Sequence, residues 1–155
     1  MPFKLSVNCP VCEQAELQPF QTIKLQHYLR CPECQCTVMA PECRLNADQE
    51  KAIYQNHDNN PDDPGYRRFL SKVADPLLPR LPPGAQGLDF GCGPGPVLAS
   101  MLEEAGMAMA LYDPFFHPQP DVLQQQYDFI TCTEVLEHLH QPAAVFRQLD
   151  GLLKP

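Results

Sequence analysis

Two cysteine pairs carry the first recognisable chemistry of this chain. Cys9-Pro10-Val11-Cys12 and Cys31-Pro32-Glu33-Cys34 repeat a Cys-Pro-x-Cys spacing with 18 residues between them. Each pair wraps one tight turn, so its two sulfurs converge. Two such turns make the four-sulfur tetrahedron that Zn2+ prefers, and iron accepts the same set. Cys36 and Cys43 are spare thiols, and either could replace Cys34. A second group of residues lies downstream. Gly91-Cys92-Gly93-Pro94-Gly95 follows the short apolar run 87–90, which contains Asp89. Backbone without Cβ atoms approaches a ligand closely and takes positive φ at low cost. Asp113 closes the next apolar run, and a carboxylate there accepts hydrogen bonds without donating any. Past a third run come Thr133, Glu134, Glu137, His138 and His140, among them groups suited to moving a proton or contacting a substrate.

Elements must hold these groups in place. Leu17 to Gln21 and Lys24 to Arg30 predict a hairpin, and Cys36 to Ala40 a third strand. Leu45 to Tyr54 has helical spacing, with Asn46 or Asp48 as its cap. The polar stretch 56–65 is rich in turn residues and marks a boundary or a loop over the site, with His57 a solvated loop residue. Tyr66 to Val73 reads as a helix that Pro76, Pro79, Pro82 and Pro83 bring to an end. Beyond the strand 87–90, Val97 to Ala105 spaces its apolar residues as an amphipathic helix. Pro96 suits its first turn, and Gly106 its stop. Met107 to Tyr112 and Gln126 to Cys132 are further strands. Glu134 and His138, four apart, would share a face if that segment were helical. Strand, glycine turn, helix, strand is the order of a parallel sheet with its site at the strands' carboxyl ends.

Composition narrows the classes. The 155 residues carry a formal charge of −8, with 44% hydrophobic and 19% charged residues. That is a globular protein, and its acidity argues against a general binder of phosphate backbones, which needs a basic face. No stretch approaches the roughly 18 apolar residues of a membrane span, and no secretory signal is evident at the start. Paired cysteines in such a chain point to metal rather than disulfides and to a cytoplasmic setting. Cys132, within a strand, is expected as core.

The amino-terminal knuckles and hairpin resemble a zinc ribbon. The later half resembles the class I S-adenosylmethionine-dependent methyltransferases. A dinucleotide turn would read G-x-G-x-x-G, whereas this chain has Gly91-x-Gly93-x-Gly95 followed by Pro96, with Asp89 two residues ahead. The stretch from Tyr127-Asp128-Phe129-Ile130 to Glu134-Val135-Leu136-Glu137-His138 matches the family's segment after its fourth strand. The resemblance covers about residues 84–155. It implies a Rossmann-like α/β fold, S-adenosylmethionine as cofactor, and transfer of its methyl group to an acceptor. It also implies cofactor-binding roles for Asp89, Gly91, Gly93, Gly95, Asp113 and Thr133. Asp89 would hold the cofactor's amino group, Asp113 its ribose hydroxyls, and Phe115 or Phe116 would flank the adenine. Glu134 and His138 are the candidates for base or substrate contact. Glu134, Glu137 and His138 also match the local spacing of metal-assisted small-RNA 2′-O-methyltransferases.

Two departures from the family pattern stand out. Only 14 positions separate Asp113 from Tyr127, where the family fits a helix and a third strand; Asp121 to Leu123 is the candidate vestige. After Leu152-Leu153-Lys154-Pro155 the family continues with further strands, so the sheet is expected to be incomplete at that edge. The expected organisation is a small β zinc-ribbon module at 1–45 with Cys9, Cys12, Cys31 and Cys34 on Zn2+, a helical linker or cap at 46–83, and a partial Rossmann-like domain at 84–155. The acceptor is a small molecule, a protein or an RNA. A non-catalytic module that binds S-adenosylmethionine or a partner is the alternative.

Overall fold

The computed structural model describes residues 7–55 and 60–155; His57 lies outside them. The first unit is an antiparallel sheet of β1 (Gln18–Ile23), β2 (Gln26–Arg30) and β3 (Thr37–Met39), in that order. Lys24 and Leu25 form the hairpin turn, Ile23 pairs with Gln26, and Lys24 adopts φ +56°. The expected three strands are therefore present, with ends shifted by a few residues. Every residue of β1 is exposed. Cys9, Leu17 and Cys31 form the buried cluster of this unit, with Val7, Leu29 and Val38 packed around them, and Ala40 is buried as well.

Two helices follow. At the start of α1 (Ala47–Gln55), Asn46 Oδ1 accepts from the Gln49 amide at 2.9 Å. Gln49 Oε1 accepts from the Asn46 amide at 3.0 Å. That reciprocal pair makes Asn46, not Asp48, the cap. α2 (Pro64–Leu77) starts with Asp63 accepting from the Gly65 amide at 2.8 Å and with Pro64 in its first turn. The helix does not stop before Pro76, as the sequence suggests, but runs through it. A proline in a last turn forfeits one backbone hydrogen bond, and the chain then tightens into the 3-10 turn Leu78–Arg80.

The second sheet is parallel, in the order β5 (Ala108–Tyr112), β4 (Gln86–Phe90), β6 (Phe129–Thr131). Side chains alternate across β4. Leu88 and Phe90 pack with Tyr127, Leu149 and Leu152, the last two from and just beyond α4 (Pro142–Gly151). On the other face Phe129 joins Leu70 and Ala74 of α2 and Val97, Leu98 and Leu102 of α3 (Val97–Glu104). α3 thus buries three large side chains, each worth about 1.5–3 kcal/mol. The α2 segment, read from sequence as linker or cap, supplies part of this core. Gly87 is required there, because a Cβ would lie 2.3 Å from the Phe129 ring. Gly106, at φ +90°, closes α3: its amide reaches Glu103 O at 2.9 Å and that of Met107 reaches Leu102 O at 3.0 Å. These two bonds form a Schellman cap.

Two further expectations are corrected. Asp121 to Leu123 is not a strand but part of a 3-10 helix, Pro120–Gln124. Its Val122 carbonyl accepts from the Tyr127 hydroxyl at 2.7 Å. β6 is shorter than 126–132 because Tyr127 pairs with the segment after α4 instead. The Tyr127 amide donates to Leu152 O at 2.8 Å, and its carbonyl accepts from the Lys154 amide at 2.9 Å. Among the described residues no helix is long and apolar enough to cross a membrane.

Candidate functional site

Both knuckles are built alike. The Glu13 amide returns to Cys9 O at 3.0 Å and the Gln35 amide to Cys31 O at 3.1 Å. Glu13 and Gln35 take φ +59° and +61°, which turns the chain away after each pair. Cys9, Cys12, Cys31 and Cys34 place their sulfurs within 4.8 Å of one another. Cys9 and Cys34 are 3.7 Å apart, and Cys12 and Cys31 3.6 Å. A tetrahedron with Zn–S near 2.3 Å has edges of about 3.8 Å, so the four thiols could hold a zinc ion. Burial pushes the Cys9 thiol up, but amide hydrogen bonds from Cys12 and Val11 outweigh it and bring it down to about 7. The fourth member is Cys34. Cys36 Sγ is turned to Thr37 O at 3.9 Å, and Cys43 Sγ sits 3.4 Å from the His27 amide. Among the described residues no other three histidine, cysteine or acidic side chains converge. Glu134, Glu137 and His138 therefore do not form a metal set.

The second site is a cavity of about 720 Å3 at the carboxyl ends of β4 and β5, where open parallel sheets bind ligands. Asp89, Gly91, Gly93, Gly95, Asp113, Thr133, Glu134 and His138 all line it. The turn after β4 is pinned to the end of β5, since the Gly91 amide donates to Tyr112 O at 2.7 Å. Gly91 has φ +76° and Gly93 φ +66°. The space beside Gly91 is taken, however: a Cβ there would fall 2.3 Å from Val135 Cγ2. Gly91 is thus needed by the chain's own packing, which differs from the reading that its missing side chain leaves room for a ligand.

Asp113 is 7% exposed. Its Oδ2 accepts from the Gly93 amide at 3.1 Å, and its Oδ1 from the amides of Phe115 and Phe116 at 2.8 and 3.1 Å. Three of about four acceptor positions on this carboxylate are engaged by backbone, which fixes it beside the glycine turn. Asp89, 3% exposed, accepts from the Thr131 hydroxyl at 2.8 Å. Burial pushes it up to about 6, with the Thr131 hydrogen bond opposing. Burial also pushes Cys92 up to about 12 and Cys132 up to about 11, with Asp89 adding to both. Both stay thiols at neutral pH and are poor nucleophiles.

Glu134 and His138 reach the cavity by a route the sequence reading missed. They share no helix. Glu134 stands in a bend at φ +55°, and only Leu136–His138 form a single 3-10 turn. His140 does not line the cavity; its Nε2 lies 3.8 Å from Glu50. Of the two phenylalanines, Phe115 lines the cavity and Phe116 does not. The remaining wall comes from residues no motif marked: Glu50 and Tyr54 of α1, Tyr66 and Phe69 of α2, and Gln148 of α4. Their spacing, Glu50 with Tyr54 and Tyr66 with Phe69, is the available clue, because each pair shares a helix face.

The family model described as "Methyltransferase domain" matches residues 63–155. The chain belongs to that family. Curated relatives of this methyltransferase-domain protein include the ubiquinone biosynthesis O-methyltransferase of Serratia proteamaculans (strain 568), 38% identical over 74 residues; the match covers 46% of this chain and 31% of the relative. That of Sodalis glossinidius (strain morsitans) is 33% identical over 69 residues, covering 44% and 28%. That of Escherichia coli (strain K12 / DH10B) is 33% identical over 96 residues, covering 46% and 40%. The match spans about a third of the length of these relatives. The family match also begins near the start of α2, in keeping with the packing of that helix against the sheet.

Proposed function

We propose that this chain is the cofactor-binding part of an S-adenosylmethionine-dependent methyltransferase whose amino-terminal module, about residues 1–45, is braced by zinc on Cys9, Cys12, Cys31 and Cys34. The observation that carries the reading is the convergence of the glycine turn, Asp89, Asp113, Thr133, Glu134 and His138 on one cavity. The charge of that cavity supports it. Among the described residues four carboxylates, Glu50, Asp89, Asp113 and Glu134, line it, and no lysine or arginine does. A sulfonium that also carries an ammonium is favoured in such a field.

In this reading Asp89 receives the ammonium group and the acceptor position left free on Asp113 a ribose hydroxyl, while the Gly93–Gly95 backbone lies along the methionine part. When bound, the cofactor supplies an electrophilic methyl group. The protein's contribution is alignment and exclusion of water. Asp113 is already held by three amides, so it loses little freedom on binding. Glu134 and His138, on the bend beside the cavity, contact the acceptor or take its proton. The relatives' name, ubiquinone biosynthesis O-methyltransferase, sets one direction for a substrate search.

Titration calorimetry with S-adenosylhomocysteine tests this. Binding is expected at a 1:1 ratio and to be lost in Asp113→Ala. No heat with the wild-type chain would overturn the reading.

A further inference from the structure

We propose that the cavity wall formed by α1 and the 134–139 bend seats the positive charge of a small, ring-bearing amine. This inference rests on the methyltransferase reading and names its acceptor class. Tyr54, Phe115 and His138 form a cluster of rings there. Tyr54 meets His138 edge-on at 5.3 Å and 81°, and lies 6.3 Å from Phe115 at 36°. Glu50 and Glu134 line the same cavity, and Glu50 lies close enough to act on the Tyr54 hydroxyl. The Glu50 side chain is only 18% exposed, and its one ion partner among the described residues is His140, 3.8 Å away and charged only when protonated. Burial, then Glu50, Glu137 and Asp113, hold the Tyr54 hydroxyl up near 12, so the ring stays neutral and electron-rich.

The charge count then selects among acceptors. Of the four lining carboxylates, two are committed to the cofactor, Asp89 to its ammonium and Asp113 to its ribose. Glu50 and Glu134 remain, with no lysine or arginine among the described residues of the wall. A phosphate or carboxylate placed beside Glu50 and Glu134 would meet like charge. A cation between carboxylates and aromatic faces gains both from Coulomb attraction and from the ring quadrupoles. The ring of such an acceptor has aromatic partners in Tyr54 and Phe115. The chain's overall charge of −8 works in the same direction, drawing cations toward the mouth. Nucleic acid, whose phosphates must lie near any acceptor base, is disfavoured on the same ground.

A matched set of probes decides the matter: 2-phenylethylamine, 2-phenylethanol and 3-phenylpropionate, titrated into the chain saturated with S-adenosylhomocysteine. The amine is expected to bind about tenfold tighter than the alcohol, and the carboxylate to give no detectable heat. With the cavity kept saturated by S-adenosylhomocysteine, Glu50→Gln and Tyr54→Leu should each weaken the amine about fivefold. An alcohol that matches the amine, a carboxylate that binds as well, or millimolar probes that do not bind at all would overturn the proposal. If S-adenosylhomocysteine itself fails to bind, the methyltransferase reading falls. The same three titrations on the chain alone then still decide the charge preference of the wall.

Discussion

In the amino-terminal unit, β1 buries no residue and the buried cluster is Cys9, Leu17 and Cys31. In the parallel sheet, β4 buries four of its five residues, and helices cover both of its faces. The two regions therefore relate site to stability differently. In the ribbon the site and the core share residues, since Cys9 and Cys31 belong to both. In the sheet the core is complete beneath the cavity, and the residues around the glycine turn sit on top of it. A change at the ribbon's site should unfold it, whereas a change at the sheet's site should alter binding first.

The hardest test of this contrast is Cys31→Ser, or removal of metal with a chelator. Structural zinc in small modules contributes an apparent folding free energy of about 10–16 kcal/mol, and this ribbon has only a small hydrophobic cluster around Leu17 to set against its loss. One zinc per chain is expected by elemental analysis of the wild type and none in the variant. Amides of β1–β3 should lose protection from hydrogen exchange, while those of β4–β6 keep theirs. A metal-free ribbon with protected amides would end the distinction.

Asp113→Ala probes the place where the sheet unit most resembles the ribbon. Its carboxylate serves the cavity and also satisfies three amides. Freed amides that find no water cost about 1–3 kcal/mol each, and water entering the enlarged site offsets part of this. We expect S-adenosylhomocysteine affinity to fall at least a hundredfold and stability by about 2 kcal/mol, read by calorimetry and by denaturant unfolding.

Asp89→Asn should pull binding and stability in opposite directions. Burial raises the Asp89 carboxyl to about 6 from 3.8. The folded state therefore holds this proton more tightly than the unfolded chain does. Stability is lost as pH rises from about 4 to about 6, and the cost persists above that. An amide in its place avoids the cost, so the variant should gain on the order of 1–3 kcal/mol at pH 7. It should also lose the strengthening of cofactor binding that is expected of the wild type as pH rises through about 6. A variant that binds as tightly as wild type across pH 5–8 would remove Asp89 from the site.

Gly91→Ala carries two separable costs. Positive φ in a residue with a Cβ costs about 1–2 kcal/mol, and the new methyl strikes Val135 Cγ2. Val135→Ala in the same chain should recover the steric part and leave the conformational part, a coupling visible in a double-mutant cycle. Full recovery, or none, would show that one of the two costs is absent.

These cases also show what the residues made legible. Knuckle spacing is a local property, since each turn fixes its own two sulfurs, and the choice of Cys34 over Cys36 followed once the hairpin brought both turns together. The βαβ order, the Gly106 stop and the Asn46 cap were likewise written in short-range chemistry. The bend at Glu134 was not. Glu134 and His138 have helical spacing, yet Val135 is drawn into the space over Gly91 and the backbone turns left-handed one residue earlier, a tertiary demand with no local signature. The α1 and α2 walls were hidden for a similar reason: Glu50, Tyr54, Tyr66 and Phe69 are ordinary helix residues until the fold sets them beside the turn. Residues 121–123 are a vestigial strand only by analogy with the family, which places a strand in this interval; Pro120 instead starts a 3-10 turn in a connection too short for a strand and its return.

The smallest effect should come where the two regions touch. Arg147 of α4 grips Glu13 at 2.6 and 3.1 Å, and Pro10 O accepts from the Ala143 amide at 3.1 Å. Both ionic side chains are more than half exposed, and such pairs are worth about 0–1 kcal/mol. Arg147→Ala should therefore leave the unfolding free energy within 1 kcal/mol of wild type. Its consequence is positional. The first knuckle rests on the start of α4, and Val145 and Gln148 of that helix line the cavity. If the knuckle only decorates the surface, the variant binds S-adenosylhomocysteine as wild type does, and metal removal leaves binding unchanged. If it steadies α4, both changes weaken binding by a similar modest factor, and applying them together weakens it no further, because each breaks the same joint.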